Sequence, residues 1–187
     1  MCSSDLMPDF YQTADQMGFH ALWFTEKLFS QRRPKQGWSF VGGDGVNALP
    51  PAAAATSSIR LGTVPLGNAD SILSFARETA ELDILSRGRL SVGLSQYQWP
   101  DEGISDGPRP RIGVRLEETI TILKRLWSED EVSFKGNHNN LEKASIDVRP
   151  VQERGILLLV AGATSAAVNL AATLADGWVH PSGGIPY

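Results

Sequence analysis

Apolar positions along this chain keep two rhythms, and the switches between them mark its elements. Residues 59–64 form a short β-branched run closed by Pro65 and Gly67, which predicts a buried strand. Ile72–Leu85 then sets Ile72, Phe75, Ala76, Thr79 and Leu82 at helical spacing, and Arg87-Gly88-Arg89 supplies a basic last turn and a glycine cap. Residues 90–94 are the next strand. Strand, helix and strand with so few residues between them make a right-handed crossover joining parallel strands.

The same alternation extends in both directions. Residues 9–17 predict a short helix ended by Gly18, residues 21–24 a strand, and residues 48–57 a short alanine-rich helix whose Pro50 and Pro51 are comfortable only in its first turn. Residues 112–127 carry the strongest helical stripe, Leu116, Ile120, Leu123 and Trp127. Residues 131–152 have no helical period and predict an excursion of short strands at 132–134 and 146–148, with a turn at Lys135-Gly136-Asn137. Residues 156–160 read as a fully apolar strand, followed by a helix from near Ser165 with Val168, Ala171, Ala172 and Ala175 on one face, and by a last short strand at 177–181. Residues 30–47 and 97–110 are too long for plain connectors and read as functional or mobile loops, with Trp38 and Phe40 as anchors of the first and Asp101, Glu102 and Asp106 solvated in the second. Helices alternating with strands in this way predict an α/β fold with a parallel sheet.

Composition narrows the function classes. The 187 residues are enough for one domain with a sizeable core, and 17 basic against 21 acidic residues, a net charge of −4, give no basic run for nucleic acid or an acidic membrane surface. No apolar stretch reaches about 18 residues, and the first residues lack the basic-then-apolar order of a signal peptide, so the expected location is cytoplasmic. Cys2 is the single cysteine, and His20, His138 and His180 are far apart, so no metal motif is present.

Six segments carry a resemblance. They are GFHALWFTEKLF (18–29), AAATSSIRLGT (53–63), AELDILSRGRLSVGL (80–94), RLEETITILKRLW (115–127), RPVQ (149–152) and LVAGATSAAVNLAATLADGW (159–178), and in this order the chain resembles the luciferase-like flavin-dependent monooxygenases over about residues 7 to 184. The resemblance implies a (β/α)₈ TIM barrel of which this chain holds strands 2 to 6, lacking strands 1, 7 and 8, since such barrels ordinarily run to about 250 residues. A barrel short of three strands has two open edges, so the chain is expected to be a fragment, with residues 7–187 as a partial barrel domain. Residues 1–6 are expected to be non-native or disordered, because Cys2-Ser3-Ser4-Asp5-Leu6 is what TGC-TCT-TCC-GAT-CT, the end of a common sequencing adapter, encodes.

Barrels of this type build their sites at the carboxyl ends of the strands. After strand two the family carries Glu-His, where this chain has Glu26 and Lys27; a lysine replaces a neutral imidazole at pH 7 only if burial lowers its pKa by several units, and otherwise holds an anion or stays solvated. After strand three, Thr63 and Val64 precede Pro65 where relatives have a cis peptide against the flavin ring; proline makes a cis bond cheap, and a trans proline simply ends the strand. After strand four, Ser95, Gln96, Tyr97 and Gln98 replace a Gly-Arg-Gly-like pattern, and losing that arginine is expected to weaken the hold on an anionic cofactor by about 1.5–3 kcal/mol. Between strand five and its helix, Gly162, Ala163, Thr164 and Ser165 match the segment that holds the flavin phosphate, and Thr164 or Ser165 also suits a helix cap. His180, after strand six, is a lone histidine, either a proton carrier or a packed or surface residue. Asp83 is expected to pair with Arg87 or Arg89.

The activity implied is that of an oxidoreductase in which reduced FMN and O₂ oxygenate a small organic substrate. The alternatives are an F420-dependent hydride-transfer enzyme of the same family, or a non-catalytic flavin-binding subunit of a homo- or heterodimer. A doubly wound nucleotide-binding domain also alternates β and α, but no GxGxxG follows a strand here.

Overall fold

The computed structural model describes residues 7–25, 32–33, 37–38, 45–64, 71–95 and 112–180. Its elements in chain order are α1 (Met7–Gln16), β1 (Ala21–Thr25), the two-residue strands β2 (Arg32–Arg33) and β3 (Gly37–Trp38), α2 (Leu49–Ala55), β4 (Arg60–Val64), α3 (Ile72–Leu85), β5 (Leu90–Ser95), α4 (Ile112–Ser128), β6 (Val132–Lys135), β7 (Asn140–Ala144), β8 (Leu157–Ala161), α5 (Ser165–Leu174) and β9 (Gly177–Val179). Five strands form one parallel sheet in the order β1-β4-β5-β8-β9, while β2 pairs with β3 and β6 with β7 in separate antiparallel pairs. The strand order never reverses. Right-handed crossovers that always step the same way put every helix on one face, which is barrel topology; a doubly wound sheet needs a reversal to cover both faces.

Burial shows the two faces directly. Leu61, Leu90, Val92, Leu94, Leu158 and Val160 lie in one core cluster with Tyr11 and Ala14 of α1, Ala52 of α2, Ala76 and Ala80 of α3, Ile120 and Leu123 of α4, and Ala167 and Ala171 of α5. Since strand side chains alternate, Trp23, Gly62, Val64, Ser91, Gly93, Ser95, Leu157, Leu159 and Ala161 take the other face, the lumen side of a barrel. Glycines there make room for a large partner on the preceding strand. A Cβ on Gly62 would lie 2.4 Å from the Trp23 ring, one on Gly93 2.7 Å from Val64 Cγ2, and one on Gly177 2.7 Å from Leu159 Cδ2.

The amino-terminal ends of the strands are tied by carboxylates. Asp15 accepts hydrogen bonds from the amides of Ser57, Ser58 and Ile59 and from both serine hydroxyls. Asp83, fully buried, accepts from the amides of Val151 and Gln152 and from Gln152 Nε2, and Asp176 accepts from the Leu158 amide and pairs with Lys124 at 3.0 Å. The expected pairing of Asp83 with an arginine is therefore corrected: Asp83 fastens the segment that returns from the excursion. Arg89 instead donates to the carbonyls of Ala53, Thr56, Ile59 and Ser86 and to the Thr56 hydroxyl. The segment at 146–148 is not a strand. The partner of β6 is β7, with Phe134 opposite Leu141.

Helix ends follow their local chemistry. α3 begins at Ser71, whose side chain accepts from the Ser74 amide, and ends with hydrogen bonds from Arg87 N to Ile84 O and from Gly88 N to Asp83 O. That is a Schellman pair, and it puts Arg87 (φ +57°) rather than Gly88 at the left-handed C′ position. The α4 stripe is buried as its spacing predicts, and Trp127 Nε1 donates to Ala76 O at 3.0 Å, locking α4 to α3.

Candidate functional site

The parallel register brings the carboxyl ends of the strands to one edge. Thr25 is opposite Val64, Ser95 is opposite Ala161, and Ala161 is opposite Val179. Of the residues expected to form the site, Val64 and Ser95 are half-buried on the lumen face, beside the buried Ala161, and Gly162 to Ser165 continue directly from β8. Glu26, Lys27, Pro65, Gln96 and Gln98, together with most of the two long loops, lie outside the described residues.

The start of α5 bears out the expected helix cap. Thr164 is its N-cap, with extended backbone and a side chain that accepts from the Ala167 amide at 3.1 Å. The first bond within the helix runs from Val168 N to Thr164 O, so the amides of Ser165 and Ala166 have no acceptor inside the helix. Both residues are exposed. Gly162 differs: it is buried, its amide donates to Val179 O, and its carbonyl accepts from Trp178 Nε1 at 2.7 Å, so it extends the sheet instead of offering a free donor.

Two further positions stand apart from the lumen face. Thr63 alternates onto the helix side with Leu61, is 1% exposed, and its hydroxyl has no hydrogen-bond partner. Its side chain does not reach the lumen. Trp178 is the cross-strand partner of Val160, a helix-side residue, and His180 packs edge-on against Trp178 with ring centroids 5.4 Å apart. His180 therefore sits with the exposed aromatic of the outer strand, whose indole Nε1 donates to Gly162 O.

Charge is segregated across the sheet. Asp15, Asp83 and Asp176 all lie at the amino-terminal side, whereas no acidic residue occurs among the described residues at the carboxyl edge or in the first turn of α5. That edge suits an anionic group: free amides at a helix start, no carboxylate among the described residues to repel it, and small lumen residues beside it. A phosphate-bearing ring cofactor fits those features. Among the described residues no cluster of His, Cys, Asp and Glu suits a metal ion, and no helix is long and apolar enough to cross a membrane.

A five-stranded parallel sheet stepping in one direction, with helices on one face, is the partial barrel of an α/β barrel protein. The chain belongs to the luciferase-like monooxygenase family, whose model matches residues 5–184. It is 30% identical to an F420-dependent glucose-6-phosphate dehydrogenase of Microbacterium testaceum over 95% of its length, which is 53% of that protein, and 29% identical to the protein of that name from Kineococcus radiotolerans. Among solved structures, the monooxygenase RslO1 from Streptomyces bottropensis aligns with a TM-score of 0.72 and 30% identity, over 90% of this chain and 50% of that one. The long-chain alkane monooxygenase LadA aligns with a TM-score of 0.78 at 15% identity, covering 94% of this chain and 48% of its own, and so supports the fold. The chain spans about half the length of the curated relatives it matches.

Sequence reasoning placed the start of the last helix near Ser165, where α5 begins. It missed the lumen-face glycine pairs. Their signal was present as a glycine in β4 and β5 at equivalent alternation, Gly62 and Gly93, but strand periodicity alone does not say which face a glycine occupies.

Proposed function

We propose that this chain is the scaffold of a flavin-type oxidoreductase that seats a phosphate-bearing tricyclic cofactor, FMN or F420, at the carboxyl edge of its sheet. The observation that carries this reading is the start of α5, where the amides of two exposed residues, Ser165 and Ala166, have no helical acceptors and stand at an edge free of described carboxylates. Bound there, the cofactor would supply the redox chemistry, oxygenation of an organic substrate for reduced FMN or hydride transfer for F420. The protein's part is to hold the phosphate on the Ser165 and Ala166 amides, to keep Val64, Ser95 and Ala161 small beside the ring, and to exclude water. Glu26 and Lys27, which follow β1 in the sequence, are the acid–base candidates in this reading. The curated relatives named as F420-dependent favour the hydride-transfer form, and the resemblance to RslO1 favours oxygenation.

Fluorescence titration of the purified protein with FMN and, separately, with F420 distinguishes the two, and binding of neither overturns the reading. A Ser165→Pro variant sharpens the test. Proline is at home at the first helical position and Thr164 already has the extended backbone that precedes it, so the fold is kept while one amide donor is removed. The expected result is cofactor binding weaker by at least about tenfold, the loss of about 1.5–3 kcal/mol typical of a hydrogen bond to a charged group, with an unchanged melting temperature. Equal affinity in Ser165→Pro and the parent protein would place the phosphate elsewhere.

A further inference from the structure

The β6–β7 hairpin meets the rest of the protein through two kinds of contact. Val132 is fully buried, and Phe134 and Leu141 pack partly buried against the core, so the body of the hairpin is held by apolar surface. Its turn is held differently. The carboxylate of Glu118, on the second turn of α4 and only 7% exposed, accepts from the amides of Asn137 (2.6 Å), His138 (3.1 Å) and Asn139 (2.9 Å) and from Asn139 Nδ2 (3.1 Å).

Three successive backbone amides around one carboxylate make an anion nest filled from within the chain. A Cβ on Gly136 would lie 2.5 Å from Glu118 Cδ, so glycine is what lets the turn come this close. Among the described residues no other hydrogen bond joins the turn to α4. Burial alone would push the Glu118 carboxyl up, but the turn amides and Asn139 outweigh it, and the group is held below the ordinary glutamate range. The charged and titratable groups around it are Arg115 and Glu117 on α4 and Lys135 and His138 on the hairpin, and none of them forms an ion pair with Glu118. On the helices flanking α4, α5 carries no charge, and Arg77 of α3 is taken up by Glu81 and Asp147.

We propose that Glu118 is a latch: the turn at residues 136–139 opens from α4 as a local unit when this carboxylate is neutralised or removed, while the parallel sheet stays folded. Opening would present the empty three-amide nest to solvent. The device is local because the apolar contacts of Val132, Phe134 and Leu141 remain when the carboxylate is lost.

Residue-resolved amide exchange tests it. In Glu118→Gln at neutral pH, the amides of Asn137, His138 and Asn139 are expected to exchange at least tenfold faster than in the parent, with those of Val92 and Leu94 unchanged. In the parent protein the same three amides are expected to lose protection on acidification below about pH 4, after correction for intrinsic rates, before Val92 and Leu94 do; this arm stands even if the variant fails to fold. The proposal is overturned if residues 137–139 stay protected in a folded Glu118→Gln protein, or if in acid they lose protection only together with the β5 amides.

Discussion

Thr63 carries a buried hydroxyl with no partner, in a strand where every other helix-side position is apolar. Replacing an unsatisfied buried hydroxyl by a methyl of the same shape removes a desolvation cost without opening a cavity. Thr63→Val is therefore expected to raise stability by about 1 kcal/mol in a urea titration, whereas a fall would show that the hydroxyl meets a partner in the working protein. Asp83 is the opposite case. Its two oxygens accept from three donors, two backbone amides on one and Gln152 Nε2 on the other. An asparagine has one acceptor oxygen and must turn its NH₂ toward one of those donors. Asp83→Asn should accordingly cost about 1–3 kcal/mol, read from the denaturation midpoint.

At the scale of elements, the glycine pairs of the lumen face set how closely neighbouring strands can share their side chains. Gly93→Ala would put a methyl 2.7 Å from Val64 Cγ2. Overpacking of this kind costs about 1–3 kcal/mol, and Val64→Ala in the same chain should recover most of it. A double-mutant cycle by thermal unfolding gives the coupling, and strict additivity would mean that the clash is absorbed elsewhere. These pairs also show what was legible beforehand. Helix stripes such as Leu116, Ile120, Leu123 and Trp127 were readable because a helix buries one face, and all four are buried. The strand order followed from uniform crossovers. Asp83 was misread because its partners, two backbone amides and the Gln152 side chain, lie nearly seventy positions away, beyond the reach of an argument from the neighbouring Arg87 and Arg89. Thr63 was expected at the site from its place near a strand end, but a period of two sends its side chain to the helix face.

Over the whole molecule, carboxylates bound to backbone amides tie stability to pH. Hydrogen bonds from the Ser58 hydroxyl and the Ser57 amide lead in holding Asp15 far below the ordinary aspartate range, and Glu118 is lowered by its turn amides against the opposing effect of burial. In the unfolded chain both groups return to values near 4. A depressed folded-state pKa means that the unfolded chain binds more protons between the two values, so stability is fully present above the unfolded pKa and is lost as pH falls through the folded one. The melting temperature should hence be nearly flat from pH 7 to about 5 and decline steadily below it. Asp15→Asn should start lower at neutral pH, because an amide cannot accept from Ser57, Ser58 and Ile59 together, and should decline less steeply in acid. Parallel acid slopes in Asp15→Asn and the parent protein would assign the acid sensitivity to other carboxylates. The Asp15 contacts join α1 to the start of β4, and Glu118 joins α4 to the excursion, so acid is expected to loosen the sheet's amino-terminal face and its hairpin. The carboxyl edge, where no described carboxylate is engaged, should keep its cofactor affinity until the fold itself gives way.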